Sequence, residues 1–174
     1  MAQLGITENR DMEKYIAVLL TAGTLVLSGC ASTHNATAAD NPYSETANAR
    51  VEIKQALTRA AATDTSVIVV FGANWCPDCK MLDLAMKKGA CAALLARDFQ
   101  IVKVNVGRFN KNLDIAKSYG VPLAKGIPAV VILSSQNKAL YVTREGELAN
   151  ARDMGDTGIY EFFKRVTAAA QARE

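Results

Sequence analysis

Val67-Ile68-Val69-Val70-Phe71-Gly72-Ala73-Asn74-Trp75-Cys76-Pro77-Asp78-Cys79-Lys80 carries the signal from which the rest of the chain is read. Val67 to Phe71 is a continuous β-branched and aromatic run, which suits a buried central strand. Gly72 ends the run, and Pro77 sits where the first turn of a helix tolerates a missing N–H. Cys76 and Cys79 therefore stand where a strand hands over to a helix. Unpaired N–H groups and the positive end of the helix dipole stabilise a thiolate there. The thiolate is the attacking species in disulfide chemistry. A C-x-x-C pair is also half of a zinc site, which needs about four N or S ligands. Besides this pair the chain holds only Cys30, Cys91 and His34. With no second pair, the strand-and-helix setting favours redox chemistry, and no metal is assigned.

The chain has 174 residues, half of them apolar, enough for one domain with its own core. Its net charge of +3 is well mixed, with no basic run or aromatic-rich basic stripe, so nucleic acid is not an expected partner. The four cysteines are too unevenly placed for a disulfide framework.

Residues 1–29 read as an address. Ile16 to Leu27 is mostly apolar and follows Lys14. It is shorter than the ~20 residues a spanning helix needs and has the length of a signal-peptide core. It ends in Leu27-Ser28-Gly29-Cys30, which resembles a bacterial lipobox, a signal whose cysteine is lipidated. The alternatives are a cleaved secretory signal and an apolar N-terminal helix. Glu8, Asp11 and Glu13 make an untidy start, and Met12 would begin a more ordinary signal. Residues 30–43 read as a flexible tether, which includes a solvated His34, and 44–174 as the folded domain.

Within that domain Ser44 is a candidate helix cap, and Ile53, Leu57, Ala60 and Ala61 share a helical face. Thr63-Asp64-Thr65 breaks that helix. After the Cys76 turn, Met81, Leu82, Ala85 and Met86 form the buried side of the next helix, and a shorter helical piece follows from Ala90 to Arg97. Residues 99–106 alternate like a strand, 112–119 form a short helix, and 129–133 and 139–143 form a hairpin about Ser135-Gln136-Asn137-Lys138. A long polar loop, 143–156, precedes a closing helix from Thr157 with Ile159, Phe162, Phe163 and Val166 inward. Early strands separated by helices imply parallel pairing, and the hairpin adds an antiparallel edge.

Trp75-Cys76-Pro77-Asp78-Cys79-Lys80, the strand Lys103-Val104-Asn105-Val106, and Tyr119-Gly120-Val121 followed by Gly126-Ile127-Pro128 together resemble the thioredoxin superfamily, over roughly residues 47–170. Membrane-tethered periplasmic members are the most similar group. The resemblance implies an α/β thioredoxin-like fold: a central mixed sheet of about four strands with helices on both faces. It implies thiol–disulfide exchange, with Cys76 the exposed attacking thiol and Cys79 the buried resolving thiol. Ile127–Pro128 would be a cis peptide facing Cys76, Trp75 would pack beside the site, and Lys103 matches a partly buried lysine of thioredoxin. No cofactor is implied beyond the Cys76–Cys79 disulfide itself. The implied partners are disulfide-containing proteins or small molecules, a membrane electron donor of the DsbD type, and a membrane reached through lipid on Cys30.

The chain also departs from the family. Thioredoxin's buried strand aspartate, which assists deprotonation of the resolving cysteine, is replaced by Val70. Pro122-Leu123-Ala124 lengthens the loop before Ile127–Pro128, and the loop before the last helix is long. Asp78, between the cysteines, disfavours a Cys76 thiolate. It therefore points to a reducing couple, nearer roughly −270 mV than roughly −120 mV. A disulfide-forming oxidant and a Cu/Zn chaperone using the same cysteines remain the alternatives. Cys91 is expected to be a small buried apolar residue.

Overall fold

The computed structural model describes residues 41–173. The signal-peptide, Cys30 lipidation and His34 readings lie outside the described residues. Ten elements follow in chain order. They are α1 (Ala49–Thr63), β1 (Ser66–Gly72), α2 (Pro77–Met86), α3 (Gly89–Asp98), β2 (Phe99–Asn105), α4 (Leu113–Ser118), a 3-10 turn (Leu123–Lys125), β3 (Ala129–Leu133), β4 (Ala139–Val142) and α5 (Ala151–Gln171).

The four strands form one mixed sheet in the order β2-β1-β3-β4. β1 and β2 are parallel, while β3 is antiparallel to both β1 and β4. The antiparallel part is thus wider than the edge expected from sequence. The 106–128 connection is long enough to reach either end of the sheet. It enters β3 from the end at which the chain left β2, so that Ala129 pairs with Phe71 and Ile127–Pro128 comes beside the loop that carries the cysteines. Between β1 and β2, α2 and α3 together make the full return.

Every residue of β1 is buried, so both faces of the sheet are covered. α1 packs on β1 and β2; α2, α3 and α5 pack on one another, with α3 reaching β2 and α5 reaching β4. Ile159, Phe162, Phe163 and Val166 of α5 are inward, as their spacing requires. Three details differ from the sequence expectation. The cap of α1 is Asn48, whose side chain accepts from the Val51 N–H at 3.3 Å, while Ser44 Oγ closes a local turn with the Ala47 N–H. Ala61 is exposed. The last helix begins at Ala151 rather than Thr157. It is kinked at Gly155, whose φ of 62° suits glycine and breaks the helical period.

Tyr43, assigned to the tether by sequence, is fully buried. Its backbone pairs twice with the Asn74 side chain. The Tyr43 N–H donates to Asn74 Oδ1 at 2.9 Å, and Asn74 Nδ2 donates to the Tyr43 carbonyl at 2.8 Å. The ring lies over Gly72, where any Cβ would overlap it. The start of the domain is therefore clamped onto the end of β1, directly before the cysteines. Gly72→Ala is expected to destabilise the protein by about 1–3 kcal/mol through overpacking, measured by denaturant unfolding. Adding Tyr43→Ala to Gly72→Ala should cost less than Tyr43→Ala costs the native chain, because the overlap is already gone.

Candidate functional site

Cys76 is the N-cap of α2, in extended conformation, and Pro77 opens the helix. The Cys79 N–H donates to Cys76 Sγ at 3.2 Å. One of the orphan donors of the helix thus ends on sulfur, where a negative charge would be stabilised. The two cysteines form a disulfide with Cα atoms 5.2 Å apart. Cys79 is 0% exposed and Cys76 4%. Cys76 is less open than an exposed attacking thiol was expected to be, yet it is the one of the pair that solvent reaches. The Ile127–Pro128 peptide is cis, and Cys76 Sγ lies 3.6 Å from the Ile127 carbonyl oxygen. Residues 51 positions apart thus meet at the sulfur.

Trp75 flanks the pair as a surface aromatic, 46% exposed, rather than a core one. Its Nε1–H donates to the Gly107 carbonyl at 2.8 Å, its ring meets Phe109 edge-on, and the Arg108 guanidinium sits over its face. Phe109 also lines an apolar cleft of about 670 Å³ with Leu113, Val121, Leu123 and Gly126. The inserted Pro122-Leu123-Ala124 forms one wall of that cleft. The long loop before α5 folds inward: Leu148 is buried, Lys125 and Glu145 pair at 2.8 Å, and Ala149 packs against Gly126.

Two carboxylates lie in the helix that carries the cysteines. Asp78 accepts from the Arg152 backbone N–H at 3.0 Å and from Arg152 Nε at 3.3 Å. The sequence reading treated the Asp78 charge as unopposed, and the structure corrects that. Asp83 was not anticipated. It is 2% exposed, one helical turn beyond Cys79 and on the same helix face. It accepts from Lys87 Nζ at 2.8 Å and pairs with Lys103 Nζ. Val70, which replaces the family's strand aspartate, is buried and in register with Lys103. Burial pulls the Lys103 ammonium down to about 8, while the Asp83 carboxylate facing it works in the opposite direction. The available signal was spacing: Asp83 lies four residues after Cys79 and three before Met86, so it shares a helix face with both.

Cys91 is free and buried on α3, away from the pair, and burial together with Asp156 pushes its thiol up to about 11. Among the described residues no group of three or more His, Cys, Asp or Glu side chains is placed to hold a metal ion.

The thioredoxin-like family profile matches residues 48–135. No curated protein matches the chain significantly. Among solved structures, a disulphide isomerase from Xylella fastidiosa Temecula1 is 47% identical, with a TM-score of 0.70, over 72% of this chain and 96% of that one. A thioredoxin from Thermus thermophilus is 23% identical, with a TM-score of 0.47, over 66% of this chain and 80% of that one.

Lys103→Met leaves the buried Asp83 with Lys87 as its remaining cation. It is therefore expected to cost about 1–3 kcal/mol in denaturant unfolding of the oxidised protein, below the full cost of an unpaired buried charge, and Asp83→Leu/Lys103→Met to recover most of it. With its α/β mixed sheet, its Cys76–Cys79 pair, the family profile and the Xylella relative, the chain is a thiol–disulfide oxidoreductase that belongs to the thioredoxin-like family.

Proposed function

We propose that the protein reduces disulfides in periplasmic proteins or small molecules. The observation that carries this reading is Cys76 at the mouth of α2, its sulfur receiving the Cys79 N–H and backed by Cys79 at bonding range. The Cys76 thiolate attacks one sulfur of a substrate disulfide and releases the other as a thiolate, which takes up a proton. The mixed disulfide is then attacked by Cys79 once its thiol has lost a proton. The substrate leaves as a dithiol, and Cys76–Cys79 remains as a disulfide. Two electrons and two protons pass to the substrate.

Asp83 is the proton acceptor of the second step in this reading, since it lies one turn from Cys79, buried and in contact with Lys103. Lys103 is the more exposed member of the pair and passes the proton to solvent. The apolar cleft beside Phe109 and Leu123 receives the chain that flanks the substrate disulfide. A lipid on Cys30 holds the protein at the envelope membrane facing the periplasm, and a membrane thiol transporter of the DsbD type returns it to the dithiol form.

The motif has no histidine to stabilise a thiolate strongly, and its one acid is paired with Arg152. The helix N-terminus is then the main stabilising influence on Cys76. A potential nearer thioredoxin's roughly −270 mV than the roughly −120 mV of a strong oxidant follows. A second reading comes from the Xylella relative, which is called a disulphide isomerase. Isomerisation begins with the same attack, but a thiol of the substrate, rather than Cys79, breaks the mixed disulfide.

Cys79→Ser separates the two. A reductase loses insulin-reduction turnover by at least a hundredfold and accumulates mixed disulfides with its substrates; an isomerase retains refolding of scrambled substrates. A redox titration above about −150 mV would instead identify an oxidant. Insulin reduction that survives Cys76→Ser would remove the enzymatic reading of this site.

A further inference from the structure

Asp78 has a partner that the Cys-Pro-Asp-Cys motif does not contain. Its Oδ1 accepts from both the backbone N–H and the Nε of Arg152, across 74 residues of chain. Arg152 is the second residue of α5, and the N-cap residue of that helix, Asn150, makes no side-chain cap. Asp78 thus caps the first turn of α5, before the kink at Gly155, and the Arg152 guanidinium brings positive charge to the acid between the cysteines. The inward fold of the 143–150 loop, with Leu148 buried and Glu145 tied to Lys125, brings Arg152 to this place.

We propose that Arg152 is a positioning residue of the redox site. It offsets the Asp78 charge, and so sets the thiolate character of Cys76 and the potential of the Cys76–Cys79 couple. A lone carboxylate in the turn raises the energy of a nearby thiolate. That disfavours the reduced form and makes the disulfide harder to reduce. A guanidinium in contact with the carboxylate acts on the sulfur with the opposite sign. The pair then presents the sulfur with a dipole instead of a net charge. The Arg152 side chain is 61% exposed, so solvent screens it and its effect is modest. This inference rests on the exchange chemistry alone and holds whichever way disulfides flow in the cell.

The test is the equilibrium with glutathione. The protein dithiol and glutathione disulfide give the protein disulfide and two glutathione thiols; one S–S bond forms, one breaks, and two electrons and two protons move. Four variants are compared with the native chain: Arg152→Gln, Asp78→Asn, the double of these two, and Arg152→Lys. Arg152→Gln should shift the equilibrium about threefold toward the protein disulfide, roughly 14 mV at about 30 mV per tenfold. Asp78→Asn should shift it by a similar factor the other way, and the double variant should return to near the native value. The pH profile of Cys76 alkylation should move up in Arg152→Gln and down in Asp78→Asn. Arg152→Lys keeps the charge and should fall between Arg152→Gln and the native protein, which preserves the test if Arg152→Gln folds poorly.

A merely structural cap would lower the melting temperature in these variants while leaving the equilibrium and the profile in place, and that result would overturn the proposal. So would single variants that shift both in the same direction. Loss of exchange in the native chain would instead count against the function itself.

Discussion

The hydrogen bond from the Cys79 N–H to Cys76 Sγ, 3.2 Å long, is the contact around which the other parts of the site are arranged. A helix start leaves donors without partners, and leaving them so in a buried place costs free energy. Here a sulfur takes the place of the usual cap oxygen. That requires a strand to end just before it, a proline to open the helix, and a chain close enough to exclude water. β1, buried along its whole length, delivers the loop. Pro77 opens α2, and the Ile127–Pro128 peptide closes the far side. The Asn74–Tyr43 clamp fixes the loop from outside.

Two acids lie within one turn of the cysteines, and neither is left unpaired. Asp83 is held by Lys87 and Lys103, and Asp78 by Arg152. A buried carboxylate without a partner would cost several kcal/mol, of order 3–5 when one member of a buried pair is lost. The pairing therefore lets the protein place negative charge beside sulfurs that must themselves become negative. The two acids differ in depth. Asp83, 2% exposed, faces the buried side of α2 and so the resolving thiol; Asp78 lies nearer the surface, between the two thiols. That division matches two requirements of exchange chemistry: an attacking sulfur with a tuned charge, and a buried sulfur that must lose its proton late.

Much of this was legible in the chain because the signals are local. Val67 to Phe71 read as a buried strand, and Pro77 marked the helix start. The pattern Ile159, Phe162, Phe163 and Val166 marked the inner face of the last helix. What escaped depended on contacts distant in sequence or on exceptions to a pattern. Asp83 drew no attention in the sequence, because its partner Lys103 comes from a strand 20 positions away. Arg152 could not be tied to Asp78 without knowing that the 143–150 loop turns inward. The start of α5 was hidden by Gly155 and Gly158, which interrupt the helical period. The direction of β3 was not legible because the 106–128 connection is long enough to reach either end of the sheet.

The central claim is that the mouth of α2 stabilises the thiolate form of Cys76. Ultraviolet absorbance of the thiolate, followed against pH in the reduced protein with Cys91 replaced by alanine, measures this directly. The account predicts a first titration well below the ~8.5 of an unperturbed cysteine, absent in Cys76→Ser. A first titration at or above that value, or one that persists in Cys76→Ser, would contradict it.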